Sequence, residues 1–279
     1  MLQIHSPAAR ALFAALVVFF VLFLLFPIYW MIVTALKPEG EIFVRQPALW
    51  PAVPTLANFE RVLTRTNLVL FLKNSVVTAG GSAILTTLLA ALAAYGFAKF
   101  TFALRRPLML LMISAQMFPF AVLLISLYPM LKEAGLLNTR LGLVISYIVF
   151  ALPTGVYMLY TFFARIPSDL IEAARIDGAS EIEILRRIVL PLSLPGLIAV
   201  AVYAFMWAWN DLFYALTIMT SNELRTVGPG LLLEFFGEMQ QDWGGAMAAS
   251  LLASMPVVLV FALLQRFFVE GLTAGAVKA

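Results

Sequence analysis

Six stretches of this sequence contain no Asp, Glu, Lys or Arg: residues 11–36, 74–98, 107–131, 141–164, 188–210 and 243–265. Each is 23 to 26 residues long, and together they make up about half of the 279 residues. About 20 apolar residues in a helix cross the roughly 30 Å hydrocarbon layer of a bilayer. Lipid gives the backbone no hydrogen-bond partners, so such segments must satisfy themselves as helices. Strands of a soluble core run only about 4–8 residues. Outer-membrane strands would show alternation over about ten residues, and none is present. The windows therefore predict an all-α, polytopic membrane protein with six transmembrane helices. Pro191 and Pro195 delay the start of the fifth, so the spans are placed at 11–36, 74–98, 107–131, 141–164, 192–217 and 243–265, in one membrane domain over residues 1–279.

Composition supports this reading. Charged residues are 12% of the chain and hydrophobic ones 63%, whereas a soluble domain has about 25% charge. So few charges cannot cover a soluble surface. An ordinary cytosolic enzyme, a disordered chain and a nucleic-acid binder are excluded. With no Cys there is no disulfide, iron–sulfur or thiol chemistry.

The first window is longer than the 7–15-residue core of a signal peptide and lacks a small-x-small cleavage site, so it reads as an uncleaved span. Residues 99–106 form a short loop with Lys99, Arg105 and Arg106 and no acid, which places that loop inside. Glu223, Glu234, Glu238 and Asp242 cluster on the other side. Both termini are then expected in the cytoplasm of a cell bounded by this membrane.

Small residues recur every fourth position at Ala90, Ala94 and Ala98, and at Gly245, Ala249 and Ala253, which lets helix backbones approach closely. Pro27, Pro119, Pro129, Pro153 and Pro256 fall inside spans and read as packing kinks. Two long segments, 37–73 and 211–242, are expected outside. The first is amphipathic near its end (Phe59, Val62, Leu63), and the second holds Gly228-Pro229-Gly230 before an apolar run to Phe236. Both are either surface connectors or docking sites for an external partner.

The windows also lack chemistry. They hold no ionisable group of the kind that proton relays, voltage sensors and ion-coupled carriers place at membrane depth. His5 is the one histidine and lies outside them, so an intramembrane Ser–His protease does not fit. There is neither a phosphate-cradling G-x-x-x-x-G-K-[ST] loop nor an H-E-x-x-H zinc motif. No catalytic residue, cofactor or metal is expected, and any ATP that powers the protein must be bound by another chain.

The densest charge lies between the fourth and fifth spans, over residues 165–191. Pro167, Ser168 and Asp169 read as a helix start. The helix runs through Glu172-Ala173-Ala174, and Gly178 ends it with a left-handed turn. Ser180 with Glu183 three residues on is a capping box that opens a second helix toward Pro191. The alanines leave the first helix slim enough to enter a partner's cleft. An ordinary solvated loop helix would have the same composition.

The string Glu172-Ala173-Ala174-x-x-Asp177-Gly178-Ala179-x(10)-Leu190-Pro191 resembles the Glu-Ala-Ala loop of permease subunits in bacterial ABC importers that use a binding protein. Leu25-Phe26-Pro27-Ile28-Tyr29-Trp30, Trp209-Asn210-Asp211 and the tail from Gly271 to Lys278 look like the sugar-importing branch, and in particular the second maltose permease subunit. The resemblance covers essentially the whole chain. Leu185 stands where many members have Phe.

This resemblance implies a type I ABC importer fold in the bacterial inner membrane, with a cytoplasmic coupling helix. Glu172, Ala173, Ala174, Asp177 and Gly178 would contact a homodimeric cytoplasmic ATPase, and the tail would lie against the same dimer. The other implied partners are a second permease subunit, an extracytoplasmic solute-binding protein, a sugar substrate and membrane lipid. Residues Trp209, Asn210 and Asp211 are candidates for the substrate path, either as sugar contacts or as an interfacial aromatic belt. Glycerol phosphate or another non-sugar solute is the alternative cargo, although no cation lies in the windows to meet an anion. A membrane-embedded enzyme is the remaining reading, and it lacks intramembrane His, Cys and paired carboxylates.

Overall fold

The computed structural model describes residues 7–237 and 242–276. His5, Glu238, Val277 and Lys278 lie outside the described residues. Among the described residues there is no strand. The helices in chain order are α1 (Pro7–Ala35), α2 (Ala57–Arg65), α3 (Leu68–Lys99), α4 (Arg105–Ala115), α5 (Phe120–Glu133), α6 (Arg140–Phe163), α7 (Ser168–Ile176), α8 (Glu181–Leu192, with a π turn at Leu185–Val189), α9 (Leu194–Trp209), α10 (Phe213–Ile218), α11 (Val227–Phe235) and α12 (Trp243–Ala276).

Among these residues α1, α3, α6 and the Trp243–Gln265 stretch of α12 are each long and apolar enough to cross a membrane unbroken. They coincide with the first, second, fourth and sixth windows. Pro27, Pro153 and Pro256 lie inside these helices, which continue through them.

At the other two spans the helix is interrupted. The 107–131 window is split between α4 and α5. Pro119 (φ −59°, ψ 128°) stands as the N-cap of α5 and does not merely kink a longer helix. Proline lacks an N–H and disfavours the α region for the residue before it, and here α4 has already ended at Ala115 when Pro119 opens α5. In the 192–217 window α9 stops at Trp209 and a separate short helix, α10, begins at Phe213. At its other end α9 meets α8 at Ser193, with a bend of 82°. Pro191 and Pro195 flank Ser193, and neither can donate to the hydrogen-bond ladder across the joint.

The chain divides into two compact units. The first combines residues up to Leu68 with Leu231–Ser254. Within it α1 has no buried residue before Val33. Its C-terminal end is held by polar groups. Asn58 on α2 is buried and donates to the Ala35 and Lys37 carbonyls, both at 2.9 Å, which satisfies backbone acceptors that a helix end leaves open. Arg61 bonds Asn58 Oδ1 at 2.9 Å and pairs with Asp242 at 2.8 Å. Asp242 in turn accepts from the Gly245 amide at 2.8 Å, at the start of α12. A Cβ on Gly244 would sit 2.8 Å from the Asn58 amide, so this meeting of α2 and α12 requires glycine. The small-residue repeat continues as buried Ala249 and Ala253.

The second unit combines Val69–Gly230 with the residues from Met255 on. Here α6 packs along α9 and against α4 and α10. The close approach expected from small residues is visible at Gly155 on α6, where a Cβ would meet Val200 of α9 at 3.0 Å and Ala90 of α3 at 3.4 Å. Below this contact a buried cluster joins Tyr95, Val156, Leu159, Phe163, Ile171, Ile184, Leu185 and Val189. It ties α7 and α8 to the ends of α3 and α6.

Candidate functional site

The segment between α6 and α9 folds as its local sequence signals dictate. Pro167 (φ −55°, ψ 137°) N-caps α7. At the other end the Gly178 amide bonds the Arg175 carbonyl at 3.0 Å, and the Ala179 amide bonds the Ala174 carbonyl at 2.9 Å. This pair of crossed bonds is the Schellman closure, which needs a residue in the left-handed region. Gly178 has φ +84°, and a Cβ placed on it would meet nothing within 4 Å, so conformation and not space selects glycine. Ser180 and Glu183 form the expected capping box at the start of α8.

Only Ile171 of α7 is fully buried. Glu172, Ala173, Asp177 and Gly178 are exposed and Ala174 is half-buried, so the five residues of the motif share one short helix and its stop. Beside them protrude Ile176, 86% exposed, and Ile182, 78% exposed. Sequence reasoning missed both. A helical count from Ile171 would have found Ile176, because five residues on it falls off the buried stripe.

A polar network backs this surface. The Tyr95 hydroxyl donates to Glu181 Oε2 at 2.6 Å and Arg175 Nε donates to Glu181 Oε1 at 2.7 Å. The Arg175 guanidinium and then the Tyr95 hydroxyl hold the Glu181 carboxyl below the usual carboxylate range. The Glu183 carboxyl is also held low, by the Ser180 amide and hydroxyl and by Arg187. Both acids are therefore ionised at neutral pH. With Arg186 and Arg187 they make the first two turns of α8 strongly charged.

The second candidate region is the turn after α9. Trp209 is buried and stacks on Phe205 at 5.4 Å. Asn210 is exposed, and its side chain donates to the Met206 carbonyl at 2.7 Å. Asp211 is 7% exposed and turned inward. It accepts from the Tyr147 hydroxyl at 3.0 Å, the Tyr214 amide at 3.3 Å and the Ala215 amide at 2.9 Å. Asp211 thus caps α10, and its carboxylate is occupied by protein groups. Of the three residues expected on a substrate path, Asn210 alone is exposed.

Asn210 and Asp211 line a cavity of about 570 Å³ with Phe150, Tyr203, Met206 and Trp207. Phe150 and Trp207 stack at 4.2 Å with an interplanar angle of 22°. A mostly apolar cavity with a few convergent polar groups is the usual form of a small-molecule site.

The segment after α10 is structured rather than a free loop. Asn74 on α3 is buried, donates to the Glu223 and Arg225 carbonyls, both at 2.9 Å, and accepts from Arg140 at 3.0 Å. Ser75 accepts from the Val227 amide at 2.8 Å. Asn138, at φ +54°, accepts from the Thr220 and Ser221 amides at 3.1 and 3.0 Å. Gly228 and Gly230 lie in α11 and are packing positions: a Cβ on Gly228 would meet the Asp211 carbonyl at 3.0 Å, and one on Gly230 would strike the Phe71 ring. The docking surface expected there is reduced to the exposed Leu232, Leu233 and Phe236.

Residues 82–273 match the family described as binding-protein-dependent transport system inner membrane component. The chain is 34% identical over 255 residues to the diacetylchitobiose uptake system permease protein DasC of Streptomyces coelicolor, covering 91% of this chain and 92% of that one. It is 37% identical over 256 residues to the trehalose/maltose transport system permease protein MalG of Thermococcus litoralis, covering 91% of each. In fold it is similar to a chain of the crystal structure of a bacterial ABC transporter involved in the import of the acidic polysaccharide alginate. The TM-score is 0.83 at 19% identity, over 95% of this chain and 99% of that one. With an exposed Glu-Ala-Ala helix set on apolar helices and a family match over most of its length, this chain belongs to the inner membrane components of binding-protein-dependent ABC transport systems.

Proposed function

We propose that the chain forms half of the translocation pore of an ABC importer for a neutral carbohydrate, and that α7 transmits the work of a partner ATPase to that pore. The observation that carries this reading is the surface of α7. Glu172, Ala173, Asp177 and Gly178 are exposed on a helix anchored underneath by Ile171. Ile176 and, at the start of α8, Ile182 are exposed as well. Burial of two such aliphatic side chains against a partner would contribute about 1.5–3 kcal/mol each. Glu172 adds a carboxylate for an arginine of that partner, worth about 1.5–3 kcal/mol once desolvated.

In this reading a homodimeric ATPase sits on the cytoplasmic side, at the loops bearing Arg105, Arg106 and α7, with both termini on the same side. It hydrolyses the ATP, since this chain has no nucleotide-cradling loop of its own. A second permease subunit completes the pore, and a solute-binding protein delivers cargo from outside, where Leu232, Leu233 and Phe236 offer a contact face. Carbohydrate as cargo is supported by the diacetylchitobiose and trehalose/maltose relatives. The cavity agrees, because its aromatic rings suit the apolar face of a sugar and it offers no cation to an anion. Within the chain, sugar contact falls to Asn210 with Phe150 and Trp207, while Asp211 lines the cavity with its carboxylate already bonded and Trp209 lies outside the lining.

Purification of the tagged chain from its native membrane tests the assembly. An ATPase and a second permease should co-purify. Titration of the cognate binding protein with a panel of sugars and glycerol phosphate then tests the cargo. A chain that purifies without an ATPase, or a binding protein that takes glycerol phosphate and no sugar, would refute the respective half.

A further inference from the structure

α3 ends in a two-pronged polar fork. Tyr95 and Lys99 are four residues apart, so they leave the last turn from one face. The Tyr95 hydroxyl donates to Glu181 Oε2 at 2.6 Å, and the Lys99 ammonium donates to the Ile166 carbonyl at 2.8 Å. Ile166 lies just before α7 and Glu181 just after it. The prongs therefore grip both flanks of α7. The Glu181 prong also reaches the helix itself, through Arg175 Nε at 2.7 Å. Between the prongs, Tyr95, Phe97, Ile166, Ile171 and Ile184 share one buried cluster.

The two kinds of contact do different work. Apolar packing resists separation of α3 from α7 but is non-directional, so it gives little resistance to sliding. Hydrogen bonds weaken steeply with angle and distance, and those to charged groups are about twice as strong as neutral ones. Both prongs are of the charged kind: a phenol to a carboxylate, and an ammonium to a carbonyl. Tyr95 is buried and Lys99 half-buried, so neither bond is on the open surface of the segment.

We propose that Tyr95 and Lys99 are positioning residues that fasten the ATPase-facing segment to α3, so that a displacement of α7 is delivered to α3 directly and not only along the chain through α8 to α9. This rests on the assignment of α7 as the helix that meets the ATPase. Neither residue is part of the exposed face of α7 or of the aromatic cavity.

The test uses the complete importer, with both permeases, the ATPase and the binding protein, in proteoliposomes. Tyr95→Phe removes only the hydroxyl, and Lys99→Met keeps the length of the stem. The readout is solute taken up per ATP hydrolysed, which a purely structural role would leave unchanged. The double variant should assemble and keep binding-protein-stimulated hydrolysis within about twofold, while solute per ATP falls about tenfold and each single variant falls less. Glu181→Gln keeps an acceptor for Tyr95 and loses the ion pair with Arg175, and it should lie closer to the wild type. If the double variant does not assemble, the two single variants carry the same test. An unchanged ratio overturns the proposal, and so does a fall of hydrolysis and uptake in proportion. A wild-type importer with no ATP-driven uptake would instead remove the assignment of α7 on which the proposal rests.

Discussion

The 165–192 and 211–230 segments both lie in one compact unit, yet their shapes come from different places. The first takes its shape from its own neighbours in sequence, and the distant Tyr95 and Lys99 then fasten that shape to α3. Pro167 starts a helix, Gly178 ends it and Ser180 with Glu183 starts the next, all within a few residues. The second is made by side chains far away in sequence. Asn74, Ser75, Asn138 and Tyr147 each reach it across more than 60 residues, and Arg140 steadies Asn74. A segment whose turns are closed by local bonds can shift as a body and carry with it the helix to which it is fastened. A segment held by distant helices moves only when those helices move. That difference suits a part that receives motion and a part that lines a cavity.

The largest test of the contrast lies in the first segment. Gly178→Pro cannot adopt φ +84°, because the ring fixes φ near −65°. Glu172→Lys reverses the charge offered to a partner. Both variants should insert into the membrane normally and abolish uptake. Full uptake by either would break the assignment of this segment as the ATPase contact.

A smaller effect is expected in the second segment. Asn74→Leu strands the Glu223 and Arg225 carbonyls and takes an acceptor from Arg140. A cost of about 2–4 kcal/mol follows from three part-buried hydrogen bonds left unmade. Thermal unfolding in detergent should show it, with faster tryptic cleavage after Arg225. Unchanged cleavage would mean that the segment holds itself together, which removes the contrast. The smallest effect belongs to Ser180→Ala, which loses one cap and should cost about 1 kcal/mol. Hydrogen exchange should quicken at the first amides of α8 and stay unchanged in the 211–230 segment.

The same division explains what could be read in the sequence. Charge-free windows mark the unbroken spans α1, α3, α6 and α12 because exclusion of charge from lipid is a property of composition. The helix–glycine–helix form of the 165–192 segment was legible because capping chemistry acts within three or four residues. Pro119 was visible in the sequence, but its effect depends on whether neighbouring helices support a kink, and here it separates α4 from α5. Asp211 invited a substrate role by its position near a span. Its bonds to the Tyr214 and Ala215 amides are local capping that the sequence could have suggested, whereas its partner Tyr147 is 64 residues away and nothing in the local sequence reveals it. Ile176 and Ile182 were legible in principle, as apolar residues off the buried stripe of a charged segment, and the Tyr95–Glu181 bond was not.

The bend at Ser193 gives α8 a mechanical character of its own. The helix Glu181–Leu192 has twelve residues, about 18 Å at 1.5 Å per residue, and meets α9 at 82°. A nearly right-angled joint turns α8 into a crank whose pivot is at the foot of α9. Each ångström of travel at its Glu181 end corresponds to about 3° of rotation at the pivot. A push along the membrane plane at α7 would thus arrive at α9 as a turn, and the aromatic wall that α9 carries would swing with it.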